Sequence, residues 1–436
     1  MPCRPTFRPS SPSRRWLGLV LVAPSLLTLV CGFPARAGVA RSELDARIRQ
    51  HRTGLIAVET APGAEVRVEQ LRHEFWFGAA LANHVFGGRL DPANTAAYQQ
   101  AFLTNFNAAV TENALKWHVM EPRQDRPDYS VVDAILRWTE AHEIPLRGHN
   151  IFWGIPNRVP DWQKAMDPDT LRDTVRARAL DIGRRYRGRF AEYDLNNEMI
   201  HGNFYADRLG PGITRDMAAW VHAADPDAVL YLNDYDILTG NRLDDYCADI
   251  RRLLADGTGI GGIGVQGHLH ADSFDPEALQ KALDQLAEFN LPIRVTEFNM
   301  PGQRSAVYRE KRATLTDAEE AAKARALADY YRICFAHPAV QGILMWGFWE
   351  GANWIPASSL YRRDWTPTPA AHAYRDLVHG EWWTRVTVHA DAAGRARIPA
   401  FHGRHRVSVG DAERIVELKS GQGPVKVAFP PATGQP

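Results

Sequence analysis

Two glutamates that follow apolar runs stand out in this sequence for the chemistry that they could do together. Glu198 comes after "YDL" and two amides, Asn196 and Asn197, and Glu297 comes after "IRVT". Packing alone rarely ends a strand this way, because every buried polar group needs a partner. Two facing carboxyl groups suit hydrolysis of a glycosidic bond, where one donates a proton and the other attacks carbon or activates water. For a single glutamate, a solvated loop acid or a helix cap is the simpler interpretation.

Eight apolar, β-rich runs alternate with amphipathic stretches across roughly 300 residues, which predicts an α/β fold of the (β/α)8 TIM-barrel type. A doubly wound open sheet is the structural alternative. The runs lie at 73–81, 106–113, 144–152, 191–197, 228–235, 262–268, 291–298 and 342–348. In a barrel, Glu198 would end the fourth strand and Glu297 the seventh, so the two acids would face each other across the mouth.

Polar or aromatic side chains also end most of the other runs, at the face where a barrel carries its active site. They are Glu112, Asn113, His149, Asn233, Asp234, Gln266, His268 and Trp346. Packing does not easily explain so many polar strand ends, since each needs a partner when it is partly buried. The strand ends therefore indicate a polar site at the carboxyl face.

Six segments of the chain resemble glycoside hydrolase family 10, the xylanases, and its plant-type branch in particular. The resemblance covers about residues 70–380. The segments are "TENALKWHVMEP", "RGHNIFW", "YDLNNEMIHGNFY", "GVQGHLH", "IRVTEFN" and "WGFWEGANW". Their order and spacing agree with the family throughout.

The resemblance implies a retaining endo-β-1,4-xylanase whose carboxyl groups lie roughly 5–5.5 Å apart. Glu198 would be the acid/base and Glu297 the nucleophile; Asn197 would bind the sugar 2-hydroxyl, and His268 would keep Glu297 ionised. The resemblance also implies substrate-binding roles for eight residues. They are Glu112, Asn113 and Lys116 for the next sugar towards the non-reducing end, His149, Trp153 and Gln266 around the reacting sugar, and Trp346 and Trp354 as stacking platforms.

The chain departs from the family pattern at three positions. The family usually has His directly after the Trp of the third strand and Gln two positions later, whereas this chain has Gly154 and Pro156. The plant-type branch also tends to lack them. Asn299 replaces the Asp that usually stands two residues after the nucleophile, which removes a charge and could shift the pKa of the nucleophile.

Bulk composition excludes several classes of function. The 436 residues include 51 Lys+Arg and 51 Asp+Glu, so no net charge favours nucleic acid or an anionic membrane. "GTGIGG" at 257–262 precedes a predicted strand, which is the wrong order for dinucleotide binding. "HLH" at 268–270 has no evident third metal ligand. We expect no metal and no cofactor.

Both ends of the sequence lack the alternating strand and helix pattern of the middle. Residues 1–37 resemble a signal peptide with "ARA" before Gly38, which predicts a secreted or periplasmic protein by an undetermined export route. Residues 38–70 form an N-terminal extension, 71–380 the catalytic domain, and 381–436 a small β appendage and tail. Trp382 and Trp383 are expected to pack the appendage on the barrel. Cys247 and Cys334 could form a disulfide or stay as buried thiols.

Two alternatives to a monomeric xylanase remain at this stage. The first is the same mechanism on another β-1,4-glycan such as a glucan, because steric room near Glu112, Lys116 and Trp346 decides whether a hydroxymethyl group fits. The second is a non-catalytic carbohydrate-binding protein on the same scaffold. The presence of both glutamates, Asn197 and His268 speaks against it.

Overall fold

The computed structural model describes residues 39–312 and 314–430, so the predicted signal peptide lies outside the described residues. The strands, in chain order, are β1 (Thr53–Glu59), β2 (Glu65–His73), β3 (Trp76–Leu81), β4 (Ala108–Thr111), β5 (Leu146–Gly148), β6 (Phe152–Trp153), β7 (Glu192–Asn197), β8 (Leu230–Asp234), β9 (Gly262–Val265), β10 (Ile293–Phe298), β11 (Val340–Met345), β12 (Arg385–His389), β13 (Arg395–Phe401), β14 (Gly403–Val409), β15 (Ala412–Leu418) and β16 (Val425–Ala428).

Strands β3 to β11 form a closed barrel of parallel strands. Neighbours pair in the order β5, β4, β3, β11, β10, β9, β8, β7, and β5 closes the ring by pairing with β7. The third strand of the barrel is divided into two segments. β5 and β6 both pair with β7 and are separated by residues 149–151. The predicted (β/α)8 barrel is confirmed, and the open doubly wound sheet is excluded by the closure.

Helices surround the barrel and present one apolar face to it. In chain order they are α1 (Arg41–Arg52), α2 (Asn83–Phe86), α3 (Pro92–Asn105), α4 (Trp117–Met120), α5 (Ser130–Ala141), α6 (Asp161–Lys164), α7 (Pro168–Arg185), α8 (Phe204–Leu209), α9 (Ile213–Ala224), α10 (Leu243–Ala255), α11 (Pro276–Ala287), α12 (Ala306–Arg309), α13 (Asp317–Ala336) and α14 (Pro369–Arg375). In α5, the buried residues recur at the spacing of a single helix face: Val132, Ile135, Leu136 and Thr139. No helix in the described part of the chain is long and apolar enough to span a bilayer.

Strands from both ends of the chain build a second, smaller core. β1 lies between β13 and β16 in one sheet, and β2 lies between β12 and β14 in the other, with β15 at its edge. The two sheets bury a common set of apolar side chains: Ile56, Val58, Val66, Val68, Ala396, Ile398, Ala400, Val407, Leu418, Val427 and Phe429. The predicted N-terminal extension and C-terminal appendage therefore share one core, which we call the terminal β unit (β1, β2 and β12–β16).

The terminal β unit packs on the amino ends of the barrel strands, opposite the face that carries the polar strand ends. Arg72 donates to the carbonyl of Asn107, just before β4, with a distance of 2.7 Å. Arg52, the last residue of α1 and directly before β1, donates to the carbonyl of Val340 at the start of β11, also at 2.7 Å. Trp382 is 1% exposed and packs on Phe77 and Phe335, so the expected packing role of this tryptophan is confirmed.

The cysteines of the described residues are buried free thiols. Cys247 lies in α10 and Cys334 in α13, and neither forms a disulfide. Burial raises the pKa of both thiols. The open question of a Cys247–Cys334 bridge is therefore answered in favour of separate thiols.

Candidate active site

Glu198 is held at the carboxyl end of β7 by an unusual backbone conformation. Its φ is 62°, in the left-handed region that non-glycine residues seldom adopt. Its N–H donates to the carbonyl of Asn233 on the neighbouring strand β8 at 2.9 Å, and its own carbonyl accepts from the N–H of His201 at 3.1 Å. The strand therefore ends in a tight turn at Glu198, directly above the barrel.

The side chain of Glu198 accepts hydrogen bonds from two neutral donors. Trp153 Nε1 lies 2.8 Å from Oε2, and Gln266 Nε2 lies 2.9 Å from Oε1. Burial raises the pKa of Glu198, the hydrogen bond from Gln266 opposes this, and the negative charges of Glu297 and Asp234 raise the pKa further. The environment therefore favours a protonated Glu198.

Glu297 lies in β10 among donors and positive charges. Asn233 Nδ2 donates to Oε1 at 2.9 Å, and His268 Nε2 lies 3.0 Å from Oε2. Nδ1 of His149 is 3.8 Å from Oε1. Burial by itself opposes ionisation, but His149, His268 and Lys116 together lower the pKa of Glu297 to about 2. The environment therefore favours an ionised Glu297.

The two glutamates lie close enough for their charges to interact, and neighbouring residues hold each of them in place. Gln266 binds Glu198 and His268 binds Glu297, and side chains two positions apart on an extended segment point the same way. Asn233 donates to Glu297 and also to Oδ1 of Asn197, at 2.9 Å in both cases. The four residues predicted to act in catalysis are therefore brought together.

Asn233 is a central residue whose role the sequence did not reveal. Its amide nitrogen bridges Asn197 and Glu297, while its oxygen accepts from Thr296 Oγ1 at 2.6 Å. Because Thr296 fixes the oxygen as acceptor, the amide nitrogen is directed at the carboxylate. Its place at a strand end was visible in the sequence, but the bridge depends on how β7, β8 and β10 are aligned in the barrel.

A buried ionic network lies beneath Glu297 inside the barrel. Arg147 pairs with both Glu192 and Asp194, and Arg294 Nη2 pairs with Glu192 at 2.8 Å. Nδ1 of His149 lies 2.8 Å from Asp194 Oδ2, which orients the imidazole beside Glu297. Each buried charge thus has an opposite partner, as burial requires.

Lys116 joins the residues predicted to hold the neighbouring sugar. Its Nζ donates to Asn113 Oδ1 at 2.8 Å and lies 4.9 Å from the ring of Trp153 and 5.4 Å from that of Trp346. Trp346 also meets His149 edge to face, with ring centroids 4.9 Å apart. Glu112 is near enough to Lys116 for their charges to interact, although burial raises its pKa.

Trp354 stands at the rim of the site and is 41% exposed. Its Nε1 donates to Asn299 Oδ1 at 3.1 Å, and its ring meets His268 edge to face at 5.3 Å. Nδ2 of Asn299 donates to the carbonyl of Trp346 and to Ser358 Oγ, at 3.2 and 3.0 Å. An aspartate at position 299 could not make these two donations, so this chain uses the amide to hold the rim.

Gly154 is enclosed by the loop that follows Glu198. A Cβ at this position would lie 3.3 Å from the Cα of Asn203 and from the backbone nitrogen of Phe204. The N–H of Phe204 donates to the carbonyl of Gly154 at 2.8 Å. The loop at 199–204 therefore approaches the backbone closely where the family usually carries a histidine side chain.

Comparison with known proteins identifies the family. The model of "Glycosyl hydrolase family 10" matches residues 69–377. Endo-1,4-beta-xylanase 1 of Arabidopsis thaliana is 34% identical over 351 residues, covering 80% of this chain and 34% of that protein. Anti-sigma-I factor RsgI6 of Acetivibrio thermocellus is 33% identical over 361 residues, covering 80% of this chain and 45% of that protein.

The fold also resembles solved structures. The crystal structure of xylanase 10B from Thermotoga petrophila RKU-1 in complex with xylobiose matches with a TM-score of 0.62 and 22% identity, covering 71% of this chain and 95% of that one. This likeness concerns the fold. The chain spans less than half of the two curated relatives described above.

Proposed function

The chain belongs to glycosyl hydrolase family 10, and from this membership we propose that it is an exported, retaining endo-β-1,4-xylanase. It hydrolyses internal β-1,4-xylosidic bonds of xylan as a monomer, in the periplasm or outside the cell. The names of the plant relatives support the substrate. The composition of residues 1–37 supports export.

The proposed reaction proceeds by two displacements at the anomeric carbon. Ionised Glu297 attacks that carbon while Glu198 gives its proton to the leaving oxygen, which yields a glycosyl-enzyme ester and a shortened chain. Glu198, now ionised, takes a proton from water as the water attacks the same carbon. The ester breaks, Glu297 leaves as a carboxylate, and the product keeps its original anomeric configuration.

The observation that carries this proposal is the difference between the partners of two chemically identical side chains. Glu297 has two histidines and Lys116 around it, whereas Glu198 receives its hydrogen bonds from the neutral donors Trp153 and Gln266. A proton donor and a nucleophile need opposite ionisation states, and such a separation of pKa values assigns the roles.

Asn197 has a donor to spare for the substrate. Its oxygen accepts from Asn233, whereas its Nδ2 is buried and has no hydrogen-bond partner among the described residues. A buried donor without a partner costs roughly 1–3 kcal/mol, which a sugar hydroxyl would recover on binding. This supports the proposed bond from Asn197 to the 2-hydroxyl of the reacting sugar.

Product analysis with three polymers tests the substrate. The mature chain should release short xylo-oligosaccharides from xylan and leave carboxymethyl cellulose and mixed-linkage glucan intact. Cleavage of the glucans alone would keep the mechanism and replace the substrate. Failure to cleave any of the three would favour the carbohydrate-binding alternative. Sequencing of the exported protein should give Gly38 as its first residue.

Glu198→Ala tests the acid role. Substrates with a basic leaving group, such as xylo-oligosaccharides, should lose about 10²–10⁴-fold in kcat/KM, which is the usual contribution of general acid catalysis. Activated aryl xylosides should lose far less in the first step, since their leaving group needs no proton. Equal losses on both substrates would contradict the assignment. Glu297→Ala, in contrast, should abolish turnover of both.

A further inference from the structure

Two basic side chains and an imidazole surround Trp153, next to Glu198. The Nζ of Lys116 lies 4.9 Å from the Trp153 ring centroid, and the guanidinium carbon of Arg158 lies 5.0 Å from it. The imidazole of His118 is 5.9 Å from the same ring. We call Lys116, His118 and Arg158 the Trp153 basic cluster.

Two members of the cluster, Arg158 and His118, have no carboxylate beside them in the described part of the chain. No carboxylate of the described residues lies within 4.0 Å of Arg158 or His118, although elsewhere exposed arginines such as Arg189 are paired at that distance. Lys116 is buried, and its charge acts on Glu297, Glu112 and Glu198 within the catalytic site. Arg158 is exposed, so its charge is free to meet an anion from solvent.

The pKa of His118 reflects the positive charges around Trp153. Burial, together with the charges of Lys116 and Arg158, lowers its pKa to about 4, and a hydrogen bond with the backbone of Arg158 opposes this shift. Its Nδ1 is buried without a hydrogen-bond partner among the described residues. An imidazole kept neutral beside two cations, with an unused ring nitrogen, is suited to an anionic ligand that would accept a hydrogen bond from it.

The loop that carries Arg158 differs from the family pattern already described. A side chain at Gly154 would crowd the backbone of Asn203 and Phe204, and Pro156 has no N–H to donate. Residues 156–158 are exposed. Arg158 is therefore the charged side chain that this loop presents beside Trp153, where the family usually presents neutral sugar-binding groups.

We propose that the Trp153 basic cluster binds the carboxylate of a uronic acid branch on the substrate chain, on the non-reducing side of the bond that is cut. The inference rests on the proposed function, because a polysaccharide cleft meets its anions as sugar carboxylates. Its place follows from Lys116, which the family resemblance assigns to the sugar on that side. The planar guanidinium of Arg158 matches a carboxylate in shape and charge.

Calorimetry with a matched ligand pair tests the proposal. One ligand is a xylo-oligosaccharide with a single glucuronic acid branch, and the other is the same molecule with its carboxyl group reduced to an alcohol. In a Glu297→Ala background, which prevents hydrolysis, the acid should bind about 5-fold more tightly, the size of one partly exposed ion pair. The difference should shrink in 0.5 M salt, because exposed charges are screened.

Three variants test whether the difference in affinity between the two ligands arises from the Trp153 basic cluster. Arg158→Gln should remove the preference for the acid, and Arg158→Lys should keep part of it. Arg187→Gln, at an exposed arginine between α7 and β7 at the other end of the barrel, should leave the preference intact. Bound acid should also raise the pKa of His118, measured by NMR titration, whereas the reduced ligand should not.

Equal affinity for both ligands, or a preference that survives Arg158→Gln, would overturn this inference. Hydrolysis of unbranched xylan by the wild-type chain judges the proposed function separately. If unbranched xylan is cut and the two ligands bind equally, only the uronate site fails. If no xylan is cut, the proposed function fails, and the calorimetric difference still decides whether the cluster binds a carboxylate.

Discussion

Two glutamates at the same face of the barrel have pKa values shifted in opposite directions. The difference comes from the individual side chains that contact each carboxyl group. Glu297 shares its oxygens between Asn233 and His268, whereas Glu198 is bonded to Trp153 and Gln266. A positive neighbour stabilises a carboxylate, and a neutral donor does so more weakly. At the scale of the residue, the identity of each donor therefore sets the chemistry.

The pH dependence of kcat/KM should follow from these contacts. Activity requires Glu297 without its proton and Glu198 with it, so the acidic limb follows the low pKa of Glu297 and the alkaline limb the raised pKa of Glu198. His268→Gln removes the imidazole that helps to lower the pKa of Glu297, so the acidic limb should move towards neutral pH by about one pH unit. An acidic limb that stays in place would show that His268 does not hold Glu297 ionised.

Glu198 should lower the stability of the fold at neutral pH. A carboxyl group whose pKa is raised by folding binds its proton more tightly in the folded chain. Stability therefore falls as the pH rises from the unfolded pKa through the folded one. Glu198→Gln should raise the melting temperature at pH 7, and the gain should vanish near pH 4. Glu140→Gln, at an exposed acid paired with Arg189, should give no such gain.

The polar strand ends, together with the family resemblance, were sufficient to predict which side chains meet at the barrel mouth. All twelve predicted site residues lie near the carboxyl ends of the strands or on the loops that follow them. The hydrogen bond from Trp153 to Glu198 and the bridge through Asn233 were not predictable. Both depend on rotamers and on the register between strands, which periodicity does not encode.

At the scale of the element, the third barrel strand shows the limit of pattern reading. The sequence predicts one run at 144–152, but the structure has β5 and β6 with an irregular stretch between them. There the N–H of Ile151 donates to the carbonyl of Asp194 at 2.9 Å, so the backbone remains tied to β7. No glycine or proline at 149–151 signals the break.

The N-terminus of α13 should make a measurable contribution to stability. Thr316 and Glu319 form a capping box, with side chains and backbone N–H groups bonded reciprocally. Thr316→Ala should lower the free energy of unfolding by about 1 kcal/mol, measured by denaturant titration. Thr314→Ala, two positions earlier at an exposed residue, should change it by less than about 0.5 kcal/mol. Equal effects of the two substitutions would contradict the capping role.

At the scale of the whole molecule, the terminal β unit and the barrel form one structure. The alternating pattern after residue 381 predicted strands, and it could not predict their partners, because a period of two identifies a strand without naming its neighbour. The partners β1 and β2 lie more than 300 residues earlier in the chain. Only the folded structure shows that both ends of the chain share a core.

A core substitution in the terminal β unit should therefore weaken the whole molecule. Val407 is fully buried between the two sheets, and Val407→Ala should cost roughly 2 kcal/mol. Barrel and terminal unit should still unfold in a single transition, because Arg72 of β2 and Arg52, directly before β1, both bond to the barrel. Two separate transitions would contradict this coupling. Val229→Ala, at a 39% exposed position, is the matched control.

The position of β1 has a consequence for how the molecule is made. This strand pairs with β13 from residue 395 onwards and with β16 from residue 425 onwards. During synthesis from the N-terminus, β1 and β2 cannot pair until the strands from residue 385 onwards have emerged, and contacts so distant in sequence form slowly. The amino ends of the barrel strands stay uncovered until then. We therefore expect a chaperone that binds this face to stay bound until the late strands have emerged.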